Sequence, residues 1–138
     1  MVIIVNVEFL IVTYLVSLFV DWVFQFDWQA KYKSKWGKDD YKLLSSMALI
    51  THSLMYATIT MMIVTGIVGL NIQQAAIMLA VLLISHAIID TRIPVKAIMK
   101  LKGMTDDQIN DYNNYGFMHI GIDHRLHEMV ILVLSIII

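Results

Sequence analysis

The sequence contains no cysteine. This absence excludes disulfides, thiolate nucleophiles and thiolate metal sites, and it leaves imidazole, carboxylate, amide and hydroxyl groups for any chemistry. Charge is also scarce, because Asp, Glu, Lys and Arg make up only 15% of the residues and the net charge is -1. A nucleic acid partner is not expected, since no basic surface would attract one. The sequence also lacks a Gly-rich phosphate loop and a His-Glu-x-x-His zinc protease motif.

What remains is strongly apolar. Hydrophobic residues make up 59% of the 138 residues, and the mean hydropathy of +0.72 is outside the usual range of soluble domains. We therefore predict an integral membrane protein. A membrane-spanning helix takes about 20 residues, so four of them would use most of the chain. The prediction is one all-α domain over 1–138, a bundle of four transmembrane helices at about 3–26, 43–70, 75–93 and 117–138.

A short amphipathic segment is predicted between the third and fourth spans. Pro94 can begin a helix that Gly103 ends, and the lysines of this helix lie opposite its apolar residues. A helix with this pattern lies along the membrane surface. Thr105 and Gln108 then form a capping-box pattern, which predicts a short polar helix over 106–114.

The basic residues predict the topology. Arg125 apart, every Lys and Arg falls in one of two loops, at positions 31, 33, 35, 38 and 42 and at positions 92, 96, 100 and 102. By the positive-inside rule, loops 27–42 and 92–116 are cytoplasmic, and both termini are extracytoplasmic. The prediction is a multi-pass protein of the bacterial inner (cytoplasmic) membrane. The first group of lysines is interpreted as a topology signal rather than a binding patch.

Ionisable side chains inside the spans are the strongest functional signal, because such residues are rare in membranes and usually mark a site. Asp123 and His127 are four residues apart and share a helix face, and so do His86 and Asp90. The polar residues fall late in spans one and three and early in spans two and four, so alternating helix direction brings them to one depth. We predict one shared site in the cytoplasmic half, with members drawn from Asp21, Gln25, His52, His86, Asp90, Asp123, His124 and His127.

Four segments resemble, in order, the polar signatures of a phage and bacterial membrane family catalogued as domain of unknown function 3307. They are Asp21–Trp28, Leu49–Tyr56, Ser85–Asp90 and Asp123–His127. The resemblance covers nearly the whole chain and implies an Asp and a Gln in helix one, a His in helix two, and Asp–His pairs four residues apart in helices three and four. The family usually has a His where this chain has Ser17 and a Gln where it has His124. The resemblance therefore implies an architecture and a site rather than a reaction.

Imidazoles and carboxylates together are the ligand set of zinc, manganese or iron. We predict a divalent metal site of Asp21, His86, Asp90, Asp123 and His127, in which His52 and His124 are further ligands and Gln25 supports them. A partly open metal lowers the pKa of bound water, so metal-dependent hydrolysis is the favoured function. No catalytic residue is assigned, and neither the metal nor the substrate follows from the sequence.

Three other functions are compatible with the same residues. Metal-ion or proton transport would also use His and Asp inside a bundle. Two histidines such as His52 and His86 could be the axial ligands of a b-type haem, although the carboxylates fit that use poorly. The third alternative is a phage-encoded, non-catalytic membrane protein whose polar cluster is structural. Beside the lipid bilayer, the candidate partners are a second copy of the chain and a host membrane protein.

Overall fold

The computed structural model describes residues 4–33, 35–36 and 38–138. Every regular element in these ranges is helical, which confirms the all-α prediction. The predicted start of the first span at residue 3 lies outside the described residues, as do Ser34 and Gly37 of the first predicted loop. The elements are α1 (Val7–Val23), α2 (Asp27–Lys33), a 3₁₀ turn (Asp39–Tyr41), α3 (Lys42–Val68), α4 (Ile72–Asp90), α5 (Ile93–Leu101), α6 (Asp106–Asn110) and α7 (Tyr112–Ile137).

The four long helices form a closed ring. α3 packs against α4 and α1, and α7 packs against the other sides of α4 and α1. Their shared core is apolar: Phe9 of α1, Tyr56 of α3, Met78 and Leu82 of α4 and Leu134 of α7 belong to one buried cluster. Burial of these side chains stabilises the ring by dense contact among large apolar groups.

One end of the ring carries the start of α1, the end of α7 and the turn between α3 and α4. The backbone N–H of Asn6 donates to the carbonyl of Ser135 at 2.8 Å. The side-chain amide of Gln74 donates to the carbonyl of Ile138 at 3.1 Å. Gly69 ends α3 at a φ of 76°, and Asn71 and Gln74 form a capping box that begins α4. These contacts make consecutive long helices antiparallel.

The segment between α4 and α7 is helical, as predicted. Thr105 and Gln108 form the expected capping box, and Gly103 follows α5 at a φ of 83°. α6 is shorter than predicted and α7 begins earlier. Val95 and Met99 of α5 pack inward against α6 and α7, whereas Ile93 and Leu101 are exposed, so the apolar residues of this helix do not all share one environment.

The first long helix ends before its predicted boundary. α1 ends at Val23 rather than at about residue 26, and the predicted first loop begins with a further helix, α2, at 97° to the axis of α1. The side-chain carbonyl of Gln29 accepts the Phe26 backbone N–H at 3.0 Å, which caps the start of α2. The side-chain amide of Gln29 also donates to the Thr51 hydroxyl at 3.1 Å and holds α2 against α3.

Two helical segments of the described chain, Asp39–Val68 and Ile72–Asp90, are long and apolar enough to cross a membrane. A third is obtained if the bent pair of α1 and α2 is one span. α7 is also long, but Asp123, Arg125 and Glu128 interrupt its apolar sequence. The all-helical class is confirmed, and two or three helices of the described chain, rather than clearly four, are apolar enough to span a membrane.

The positions of the helix ends generate a labelling prediction. The wild-type chain has no cysteine, so single cysteines can be introduced cleanly. Because Glu8 and Gln73 are exposed near the same end of the ring, Glu8→Cys and Gln73→Cys should react with a membrane-impermeant maleimide from the same side. Lys38→Cys should react from the other side. Labelling of the first two from opposite faces would contradict this arrangement.

Candidate metal centre

Five of the predicted site residues come together at the end of the ring opposite the chain termini. They are Asp21 of α1, His52 of α3, His86 and Asp90 of α4, and His127 of α7. His52, His86 and Asp90 are buried, whereas a quarter of the Asp21 side chain is exposed. Each long helix therefore contributes to one cluster, which we call the His/Asp cluster.

Asp21 lies between two imidazoles. Its Oδ1 is 3.0 Å from Nε2 of His52 and 3.8 Å from Nε2 of His86. The side-chain nitrogen of Gln25, from the break after α1, lies 3.3 Å from the same His52 nitrogen. That nitrogen cannot accept a hydrogen bond from Gln25 and at the same time donate one to Asp21. The two contacts are alternatives that depend on the tautomer.

Asp90 lies on the other side of the same two histidines. Its Oδ2 is 3.2 Å from Nε2 of His86 and 3.5 Å from Nε2 of His52. The side chain of Asp90 is only 2% exposed, so it needs a countercharge. Lys33 provides it, with Nζ 2.9 Å from Oδ2 of Asp90.

Lys33 corrects the interpretation of the first loop. The lysines of 27–42 were expected to mark only the membrane surface, but Lys33 is buried and reaches the His/Asp cluster. It lies four residues after Gln29, which is also buried, so both project from the inner face of α2. This spacing of four is a sequence signal that could have indicated a helix with an inward polar face.

His86 and His127 carry ring nitrogens without hydrogen-bond partners. The ring of Tyr56 stacks on His86 with centroids 3.8 Å apart, and the His127 ring lies 4.5 Å from that of His86. Nδ1 of His86 and Nε2 of His127 are buried and have no partner among the described residues, whereas Nε2 of His86 faces the Asp90 carboxylate at 3.2 Å. A buried polar atom without a partner costs about 1–3 kcal/mol, so these nitrogens need an explanation.

The donor atoms have the spacing of metal ligands. Two overlapping triads, Asp21–His52–His86 and His86–Asp90–His127, each offer three ligand atoms within 4.8 Å of one another. Ligands about 2.1 Å from one tetrahedral ion lie roughly 3.4 Å apart. The observed nitrogen–oxygen distances of 3.0 to 3.8 Å bracket that value. The geometry fits a divalent ion with nitrogen and oxygen ligands, and His86 is common to both triads.

Comparison with known proteins adds no assignment. No protein-family model, curated protein or solved structure matches this chain. The resemblance to the family of domain of unknown function 3307 therefore stays a prediction, and the site is argued from its geometry.

Two predicted ligands lie apart from both triads. Oδ1 of Asp123 is 3.4 Å from Nη1 of Arg92, so its nearest charged partner is a guanidinium. Arg92 stands at the break between α4 and α5 with a φ of 64°, the left-handed conformation. His124 is half-buried, with its ring 6.4 Å from that of Trp22. Asp123 shares a helix face with His127, as predicted from their spacing. The side chain that faces Asp123 is Arg92 rather than a member of the His/Asp cluster.

His119 of α7 has a structural contact of its own. Its side chain is buried, and Nε2 lies 2.9 Å from the carbonyl oxygen of Ile109. This hydrogen bond joins α6 to α7. His119 is therefore separate from the His/Asp cluster.

The buried ion pair generates a stability prediction. Lys33→Met should lower the free energy of unfolding of metal-free protein by roughly 3–5 kcal/mol, because it leaves Asp90 buried without a countercharge. Denaturant titration in detergent measures this. Lys31→Met is the matched control, since Lys31 is exposed on the same helix and its loss should stay within about 0.5 kcal/mol. Equal stability of the two variants would show that Lys33 does not stabilise Asp90.

Proposed function

We propose that this chain is a four-span protein of the bacterial inner membrane, that it holds a divalent metal ion in the His/Asp cluster near the cytoplasmic face, and that it is a metal-dependent hydrolase. The proposal combines the arrangement of the helices, the unpartnered nitrogens of the cluster and the charges around it.

Membrane insertion of α7 is supported by the residues on its outer side. Met129, Val133 and Ile137 are each more than half exposed, although they are large and apolar. An outward apolar surface of this kind suits lipid. Of the ionisable residues, Asp123 faces Arg92 inside the protein, and all of them precede Met129, so the last nine residues of the helix, 129–137, contain none. The ionisable residues of α7 are therefore compatible with a transmembrane helix that contributes ligands to the His/Asp cluster.

The orientation follows from the basic residues. The two basic loops lie at the end of the ring that holds the His/Asp cluster, and the positive-inside rule makes this end cytoplasmic. The cysteine variants test the orientation on intact cells, where Gln73→Cys should be labelled from outside and Lys38→Cys should not. The reverse result would show the opposite orientation.

The observation that carries the metal proposal is that His86 and His127 each have a buried ring nitrogen without a hydrogen-bond partner among the described residues. In a purely structural network, His86 and His127 would be bonded to neighbouring groups, because unsatisfied polar atoms are costly in a membrane protein. A ring nitrogen that binds a metal ion uses its lone pair and needs no hydrogen-bond donor. The nearby carboxylate oxygens of Asp21 and Asp90 complete a ligand set for zinc, manganese or iron.

The charges point the same way. Asp21 and Asp90 bring two negative charges to the cluster, and Lys33 brings one positive charge. With neutral imidazoles, one negative charge is left uncompensated in a mostly buried position. A divalent cation would compensate it, whereas a second ammonium or guanidinium is absent from the described part of the cluster.

Hydrolysis is the chemistry that this position supports best. When bound, a divalent ion supplies a Lewis acid that lowers the pKa of coordinated water to about 7. Asp21 is the cluster residue through which substrate and water have access, because part of its side chain is exposed to a large cavity. His52 orients Asp21 through the 3.0 Å contact, and Tyr56 covers the buried face of His86.

Metal content tests the proposal. Wild-type protein purified without chelators should carry a divalent metal measurable by elemental analysis, and His86→Ala and His127→Ala should lose most of it because each removes a ligand. Binding should weaken at acid pH, since protons compete with the metal ion for the ring nitrogens. At a free metal concentration 100 times the Kd, binding should stabilise the fold by about 2.7 kcal/mol.

His124→Ala is the matched control, because it removes a histidine of the same helix that lies outside both triads. It should retain the wild-type metal content. If His86→Ala also retained it, the metal would lie elsewhere. Wild-type protein that bound no zinc, manganese or iron on addition would identify the cluster as a hydrogen-bonded helix network.

A further inference from the structure

A large cavity opens beside the His/Asp cluster. Its volume is about 910 Å³, and it extends between the α1–α2 bend on one side and α5, α6 and α7 on the other. Asp21 belongs both to the cavity wall and to the cluster. A molecule in the cavity would therefore lie next to the proposed metal ion.

The wall of the cavity is rich in charge of both signs. Four cations line it, Lys33, Lys38, Arg92 and Lys96, together with three carboxylates, Asp21, Asp27 and Asp123. With Asp90, the partner of Lys33, the carboxylates equal the cations in number. A divalent ion in the cluster would then leave two positive charges. A terminal phosphate carries a charge of about -1.5 to -2 at pH 7, which matches this excess.

Two of the cations are placed to hold such an anion. Nζ of Lys96 contacts only a neutral group in the described chain, Oδ1 of Asn110 at 3.2 Å. Nη1 of Arg92 faces Asp123 at 3.4 Å without a hydrogen bond. A guanidinium has five N–H donors in a planar fork, so Arg92 retains donors for a phosphate while it faces Asp123.

The rim of the cavity is apolar and exposed. Trp22, Ile93 and Ile120 line the cavity and are 71%, 63% and 45% exposed. They lie at the basic end of the ring, where tryptophan and apolar side chains meet the membrane surface. A soluble phosphate would make no use of these residues, whereas the acyl chains of a lipid would cover them.

We propose that this cavity binds the terminal phosphate headgroup of a membrane lipid, held by Arg92 and Lys96, with the acyl chains against the apolar rim. The proposal deepens the proposed function by naming a substrate class, and it rests on the metal centre for the excess of positive charge. Lys33 and Lys38 contribute to the field in the cavity rather than to direct recognition.

The test uses the full chain in detergent micelles, with and without added zinc, and dihexanoyl phosphatidic acid as the probe. Calorimetric titration should give binding at least tenfold tighter than that of dihexanoyl phosphatidylcholine or inorganic phosphate, and tighter with zinc than without it. Lys96→Gln should weaken binding of the probe about tenfold, which corresponds to about 1.4 kcal/mol. The double variant Arg92→Gln, Asp123→Asn should have a similar effect and avoids an unpaired buried carboxylate.

Lys100→Gln is the matched control. Lys100 lies on the same helix as Lys96 but pairs with Asp106 at 2.8 Å outside the cavity, so its loss should leave the affinity unchanged. Equal binding of the two lipids, or unchanged affinity in both cavity variants, would overturn the proposal. Inorganic phosphate bound as tightly as the lipid would assign the site to a soluble phosphate instead.

Metal content is measured on the same samples, which separates the two proposals. Protein that holds its metal but does not prefer phosphatidic acid would reject the lipid site alone. Protein that binds no metal but still prefers phosphatidic acid through Lys96 would reject the metal centre and keep the phosphate site.

Discussion

The need of Asp90 for a countercharge organises the basic end of this protein. A carboxylate with almost no exposure is strongly destabilising unless a cation reaches it. The cation comes from Lys33, which is 57 residues away in the chain. Lys33 lies on the short helix α2, which packs against α3 at this end of the ring. The same helix places Gln29 against Thr51. The 97° bend after α1 is thus coupled to the burial of Asp90.

The polar and apolar parts of the ring are separated along its length. The shared apolar core of the four long helices contains Phe9, Met78 and Leu134, and one backbone hydrogen bond, from Asn6 to Ser135, joins α1 to the end of α7. The buried ionisable groups concentrate at the other end, where Asp90 pairs with Lys33 and Asp21 contacts His52. This separation allows one end to stabilise the bundle by packing while the other carries unsatisfied ring nitrogens. Unsatisfied polar atoms at a site lower the stability of the fold, and the well-packed rest of the protein compensates for them. This arrangement is typical of functional centres.

Asp21 connects the two proposals. It contacts two imidazoles of the cluster and also lines the large cavity, so it stands at the boundary between the buried cluster and an open space. Metal binding would use its buried side, and a lipid phosphate would approach from its exposed side. Arg92, in its left-handed conformation between α4 and α5, lines the same cavity and pairs with Asp123. The residue predicted as a metal ligand thus becomes part of the cavity that would receive the substrate.

The amino-acid sequence by itself determined the helical class, the approximate extents of the four long helices, the capping box at Thr105, and the common level of the cluster residues. These features depend on local propensity, on the helical repeat, and on the reversal of direction at short turns, all of which can be read along the chain. Only the tertiary structure decided the bend after α1, the burial of Lys33, and the pairing of Asp123 with Arg92 rather than with the cluster. Each of these depends on which side chain from a distant element packs next to a buried charge. Helical spacing specifies the face on which a residue lies but not the partner that packs against that face.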